Sequence, residues 1–294
     1  MRPEYFAKGT YSDKKKMASE NFSYRTAREN GIFNSLPAGD YERIRPHLED
    51  VCLPVGQNLY EYGDAIQYVY FPLDAVIHLF LTMKSGATIE AGIVSSEGVL
   101  GFAVFMGAKT LSSQAVVLHS SRALRIKAEI IKQEFDKGGH FQNLILRYIN
   151  AFYIQLSQTA ACNHIHHLEG RLCRWLLLLH DRLKTNHLKV TQDFIAQMLG
   201  TRRPYVTAAV GSLQRKGIIR CTRGHIEILD RKSLENCCCE CYEIIRRESD
   251  FPKKIQSHPA DNHIPQNYPQ TSFATNLIQS QTLAARQSKH PIRQ

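Results

Sequence analysis

At 294 residues and 33.5 kDa the chain is long enough for two domains, and its 43% hydrophobic content, formal charge of +10 and pI near 9.2 describe a globular protein with a polyanionic partner. No window holds eighteen uninterrupted apolar residues, and the first 28 lack the apolar core of a signal peptide, so neither a membrane span nor an export signal is expected. Four of the eight cysteines crowd at Cys237, Cys238, Cys239 and Cys241, which suits the reduced thiols of a cytoplasm better than an evenly spread disulfide scaffold.

Residues 1–30 mix Lys14, Lys15 and Lys16 with Ser, Thr and Tyr, show no period, and read as a flexible basic tail. In residues 31–139, Asn34 or Ser35 can cap a short helix through Tyr41, Ile44 and Leu48. From Val51 to Leu124 short runs of Val, Ile, Leu, Phe and Tyr are broken by turn signals such as Pro54-Val55-Gly56, Tyr62-Gly63-Asp64, Lys84-Ser85-Gly86 and Glu97-Gly98. Turns about every ten residues predict many short antiparallel strands, hence a β-sandwich or jelly roll with the shape of a container or sensor.

Ala128 to about Leu183 is helical. Within the segment 140–163, Ile145, Ile149, Phe152, Leu156 and Thr159 alternate spacings of four and three, an a/d seam that predicts pairing of two copies as a homodimer. The competing arrangement buries that seam against the chain's own β-domain. Residues 164–248 begin with a polar connection, His164, His166 and His167, read as solvated, and an amphipathic helix through Leu168, Leu172, Trp175, Leu176 and Leu179.

Thr191 to Ile219 reads as a helix-turn-helix. Thr191 is a good N-cap; Phe194, Ile195, Met198 and Leu199 pack one face inward, and Gly200 stands where a left-handed residue ends a helix. Thr201 can cap a second helix, Pro204 is tolerated in its first turn, and Val206, Val210 and Leu213 face back across the turn. Between Lys184 and Arg223 stand eight basic residues and one acidic residue, Asp193, or +7, whereas residues 31–139 carry nine basic and twelve acidic, or −3. The positive charge therefore gathers where a phosphate backbone would be gripped. Ile218 to Cys221 and Ile226 to Leu229 form two brief β patterns around Arg223-Gly224-His225, the wing of a winged helix, and a last helix is expected near Leu234 to Arg246. Residues 249–294, rich in Gln, Ser, Asn, His and Pro, read as a disordered tail.

The order β-domain, long pairing helix and winged helix resembles the bacterial Crp/Fnr regulators, the family of the cyclic-AMP receptor protein. The likeness covers roughly residues 31–248 and rests on Gly63-Asp64, on Glu97-Gly98 to Gly101, and above all on QDFIAQMLGTRRPYV followed by LQRKGII. It implies an α+β fold, with a cyclic-nucleotide-binding-like β-roll, a dimerisation helix and a winged helix-turn-helix. It also implies a homodimer on a palindromic double-stranded operator, its recognition helices about 34 Å apart, and contact with RNA polymerase. By the same resemblance Arg203 matches the arginine that reads guanine. The base-contacting glutamate and later arginine of the family are Pro204 and Ala208 here, which leaves Arg202, Tyr205 and Thr207 as replacements, Thr201 as a cap or phosphate contact, and Lys216 and Arg223 as phosphate contacts.

No cofactor is expected. The Gly-Glu and Arg-Ser pairs that clamp a cyclic nucleotide in the family are replaced by Gly101-Phe102 and Ser112-Ser113-Gln114, Arg122 and Arg125 substitute only if their strand turns them inward, and no cysteine precedes Cys52 to hold an iron–sulfur cluster. No metal site is expected at Cys237 to Cys241, because on one helix the thiols point to different faces. No Walker loop, HExxH or GxSxG occurs, so no enzyme is predicted. The rival reading is a small-molecule-binding signalling module whose helix-turn-helix is a protein-interaction scaffold.

Overall fold

The computed structural model describes residues 27–119 and 121–250. The tails expected over 1–30 and 249–294 lie outside the described residues except for 27–30 and 249–250 at their inner ends.

Two short helices open the fold, α1 (Gly31–Ser35) and α2 (Ala38–Ile44). The cap expected at Asn34 or Ser35 for the helix through Tyr41 and Ile44 is corrected: that helix, α2, has Pro37 at its N-cap position and no side-chain cap, Asn34 and Ser35 lie inside α1, and the buried Asn30 caps α1 through Ile32 N. The Asn30 amide also donates to the carbonyls of Pro72 and Gly98, both at 2.9 Å, so one side chain starts α1 and fastens it to the β-domain.

Seven strands follow: β1 (Glu49–Leu53), β2 (Asn58–Tyr60), β3 (Tyr68–Pro72), β4 (Val76–Thr82), β5 (Thr88–Val94), β6 (Gln114–His119) and β7 (Ser121–Lys127). All pair antiparallel, in sheets of order β1-β7-β3 and β2-β6-β4-β5. The two sheets share one core, with Leu53, Phe71 and Leu124 from the first and Ile77, Leu79 and Val117 from the second. This is the sandwich that the turn spacing predicts.

Strand β4 explains how the rest attaches. Its residues alternate in direction: Ile77 and Leu79 enter the sandwich, while Val76 and Phe80 join a second core with Ile93 of β5, Trp175, Leu176, Ile195 and Met198. Both faces are covered, which is why VIHLFL is apolar on both sides save for the buried His78.

The helices α3 (Ala128–Asp136), α4 (His140–Ile165) and α5 (Leu168–Leu183) come next. Helix α4 lies so close over the sandwich that a Cβ on Gly98 would sit 2.0 Å from the Tyr148 ring. The seam expected to pair two copies is turned inward: Ile145, Phe152 and Thr159 are buried, and Ile149 and Leu156 pack against the β-domain core. That expectation is corrected, because these apolar side chains are already covered within the protomer. The outward stripe of α4 runs one step round, through Leu146, Asn150, Tyr153, Ser157, Ala160 and His164, with Leu146 and Tyr153 at 49% and 66% exposure.

The C-terminal domain adds β8 (His187–Leu188), α6 (Gln192–Met198), α7 (Arg203–Arg215), β9 (Ile219–Thr222) and β10 (His225–Ile228), the strands forming a sheet of order β8-β10-β9. The single last helix expected is instead two, α8 (Arg231–Asn236) and α9 (Cys241–Ser249). Asp230 caps α8 through Ser233 N, and Cys237 to Glu240 form the turn between the two. No helix among the described residues is long and apolar enough to cross a membrane.

Candidate nucleic-acid interface

Helices α6 and α7 hold the basic surface. The Thr191 hydroxyl accepts from Phe194 N at 3.1 Å and starts α6, and Gly200 ends it at φ +58°, in the left-handed region. Ile195, Met198, Val206, Val210 and Leu213 are buried between the two helices and α5, as their spacing predicts. The N-cap of α7 is Arg202, not Thr201, and no side chain caps it. The first backbone N–H groups of α7 are therefore left without a side-chain acceptor, beside two guanidinium groups. Pro204 stands in the first turn, where it removes a donor that has no partner within the helix. A positive helix terminus flanked by arginines is an anion-binding surface.

The seven predicted contact residues are not equivalent. Arg202, Arg203 and Tyr205 project outward from the first turn of α7, with Tyr205 59% exposed. Arg203 pairs across the turn with Asp193 at 3.2 Å, both side chains reaching solvent. Thr207 is exposed but engaged: its hydroxyl lies 2.7 Å from Gln192 Oε1 and 3.1 Å from the Arg203 carbonyl. Thr201 is half-buried, and its backbone N–H closes the turn onto Ala196 O at 2.9 Å. Lys216 reaches back to Glu169 at the start of α5, whose carboxylate, held by the Lys216 ammonium and Ser212, falls below the ordinary range. Arg223 is exposed at the β9–β10 turn. Sequence reasoning missed Gln192, Asp193 and Glu169 as partners. Only Asp193 carried a signal, as the single acid in a basic stretch.

In the β-domain Arg122 and Arg125 stay on the outside, paired with Asp50 and with Glu49, the latter at 2.8 Å. The interface between β-domain and helix-turn-helix is an apolar core that encloses one buried polar contact. The Glu90 carboxylate, buried, contacts His78 Nδ1 and accepts from Trp175 Nε1 at 3.3 Å. Arg182 of α5 donates to Glu97 across the same interface at 2.9 Å, while within the C-terminal domain Arg171 donates to the Leu199 carbonyl at the end of α6.

The Cys237–Cys241 segment also departs from expectation. Because it is a turn and not one helix, Cys239 and Cys241 face Cys162 and His166 at the end of α4.

Residues 170–237 match the family model of the Crp-like helix-turn-helix domain. No curated sequence matches the chain. Among solved structures, FixK2 from Bradyrhizobium japonicum superposes with a TM-score of 0.58 at 13% identity, covering 65% of this chain and 98% of that one. The c-di-GMP responsive global regulator CLP from Xanthomonas campestris gives 0.56 at 15% identity, covering 65% and 99%. A CRP-family transcriptional regulator from Thermus thermophilus gives 0.55 at 16% identity, covering 63% and 95%. At these identities the likeness is one of fold. Sandwich, long helix and winged helix-turn-helix follow one another here in the same order as in those structures. The helix-turn-helix domain is thus of the Crp-like type, and the parts before it share the fold of the Crp/Fnr regulators.

Proposed function

We propose that the protein works as a homodimer that reads a palindromic duplex, placing the first turn of α7 from each copy in successive major grooves about 34 Å apart. The observation that carries this reading is the outward, basic N-terminus of α7, capped by no side chain, on a scaffold of two helices packed through buried apolar residues. Arg203, with Arg202 and Tyr205, reads bases; Arg223 on the wing and Lys216 meet phosphate once Glu169 releases the lysine. The unpartnered stripe of α4 from Leu146 through Tyr153 to His164 supports a pairing face, since spacings of four and three repeat along it. We read the β-domain as operating without a cyclic nucleotide held in the family's manner, which the outward Arg122 and Arg125 support. Direct contact with RNA polymerase and a cytoplasmic location belong to the same reading.

The test takes the purified chain without added ligand, selects bound duplexes from a random pool at near-physiological salt, and measures mass in solution by light scattering. A dimer enriching an inverted repeat with half-sites one turn apart is the expected result. A chain that binds no duplex even at low salt overturns the operator reading and leaves the scaffold reading in its place.

A further inference from the structure

The turn between α8 and α9 brings three thiols and an imidazole to one point. Cys162 Sγ lies 3.4 Å from Cys239 Sγ, Cys241 Sγ lies 3.6 Å from His166 Nδ1, and the donor atoms of all four residues fall within 4.8 Å of one another. Two segments supply them. Cys162 and His166 are one helical turn apart at the end of α4, so both point the same way. Cys239 and Cys241 come from the turn and from the first residue of α9. Cys162 and Cys241 are buried and the other two half-buried, so the group is not a solvated surface cluster.

The geometry selects the kind of ligand. A tetrahedral ion with metal–sulfur bonds of about 2.3 Å sets its thiolates about 3.8 Å apart and a nitrogen slightly nearer. The Cys162–Cys239 and Cys241–His166 distances of 3.4 and 3.6 Å are close to these values and every other pair lies within 4.8 Å, which suits one ion; an iron–sulfur cluster spreads its thiolates wider, because iron and sulfide lie between them. Three sulfurs and one nitrogen fill all four positions, the closed donor set of a structural zinc site.

The surroundings fit as well. While Nδ1 of His166 faces the sulfurs, its Nε2 lies 3.3 Å from Glu240 Oε1, the carboxylate on the far ring nitrogen that fixes a metal-binding tautomer. Three thiolates on a divalent ion leave one net negative charge. Arg174, 3% exposed and held by Thr159 Oγ1 at 3.0 Å, supplies a buried positive charge that acts on Cys162.

We propose that Cys162, His166, Cys239 and Cys241 form a mononuclear tetrahedral site for a thiophilic divalent ion of the zinc class. Binding forms three metal–thiolate bonds and one metal–imidazole bond, and releases the three thiol protons to solvent. The ion ties the end of α4 to α9 at the point where His166 caps α4 and His167 opens α5. It thereby holds the angle between the long helix and the winged-helix domain.

The full chain, purified under reducing conditions without chelator or metal-affinity tag, is expected to carry one zinc per chain by elemental mass spectrometry. After stripping and titration with cobalt(II), it is expected to show the d–d bands of tetrahedral cobalt together with thiolate charge transfer. Cys239→Ser and Cys162→Ser are expected to lose the stoichiometric metal, while Cys52→Ser and Cys221→Ser, outside the group, keep it. Should the ligand variants fail to fold, the wild-type chain still decides, because zinc must protect three of its eight thiols from alkylation. Absence of stoichiometric metal with no tetrahedral cobalt spectrum overturns the site. So does a Cys162–Cys239 disulfide that persists through the reducing purification, seen as a mass lower by two hydrogens.

Discussion

Arg203 stands at the first position of α7 with two partners in competition, Asp193 in the free protein and a base edge in the proposed complex. An exposed ion pair contributes little, so moving from the carboxylate to a guanine costs little beforehand. Arg203→Ala is expected to weaken operator binding by about 1–3 kcal/mol and to relax preference at one base pair per half-site; competition titrations against single-base operator variants measure both. Asp193→Asn should leave that base preference intact and tighten binding modestly. Glu134 behaves differently, since its carboxylate is nearly buried beneath Lys137 and Arg43, at 2.6 and 2.9 Å. Burial alone would raise its pKa, but the hydrogen bonds from Lys137 and Arg43 together outweigh burial and lower it. A depressed carboxylate stabilises the fold above its unfolded pKa of about 4.3 and loses that contribution as pH falls through the folded value. Glu134→Gln should therefore unfold at lower urea than wild type at pH 7, with the two midpoints converging in the acid range.

Among the elements, α4 shows how close packing replaces sequence signal. The Tyr148 ring occupies the room that Gly98 leaves, and an alanine there places its Cβ 2.0 Å from the ring. Gly98→Ala is expected to cost about 1–3 kcal/mol by overpacking, read as a lower urea midpoint, and Gly98→Ala with Tyr148→Leu should recover part of the loss. The same helix marks the limit of reading periodicity. The spacing of Ile145, Ile149, Phe152, Leu156 and Thr159 reveals one covered face, but spacing cannot say whether the cover is a second copy or the chain's own sandwich; here it is the sandwich. The helix-turn-helix was legible because its signals are local: a capping hydroxyl at Thr191, a left-handed Gly200 and an apolar face on each helix. The turn at Cys237 to Glu240 was not, because Asp230 and Ser233 start a short α8 that a longer apolar pattern masks. The meeting of Cys239 and Cys241 with Cys162 and His166 depends on a long-range packing of α9 against α4 that no local pattern encodes.

For the whole molecule, the decisive contact is the docking of the helix-turn-helix on the outer face of β4 and β5. An effector or partner can shift the pose of the reading head only through differential interaction with this interface and the α4–α5 hinge. Apolar surface from Val76, Phe80, Ile93, Trp175 and Met198 supplies the attraction, and Glu90 supplies the register by meeting His78 and Trp175 at once. Glu90→Ala removes the acceptor from two buried groups, each of which costs about 1–3 kcal/mol when left unpaired. Glu90→Gln keeps an oxygen and should lose less. Trp175 is the chain's single tryptophan and is 1% exposed, so its emission reports this interface directly. Glu90→Ala is expected to shift the emission to the red at lower urea than wild type, ahead of the loss of helical circular dichroism, because the domains part before either unfolds. If emission and helicity were lost together at the wild-type midpoint, Glu90 would not be holding the two domains in register.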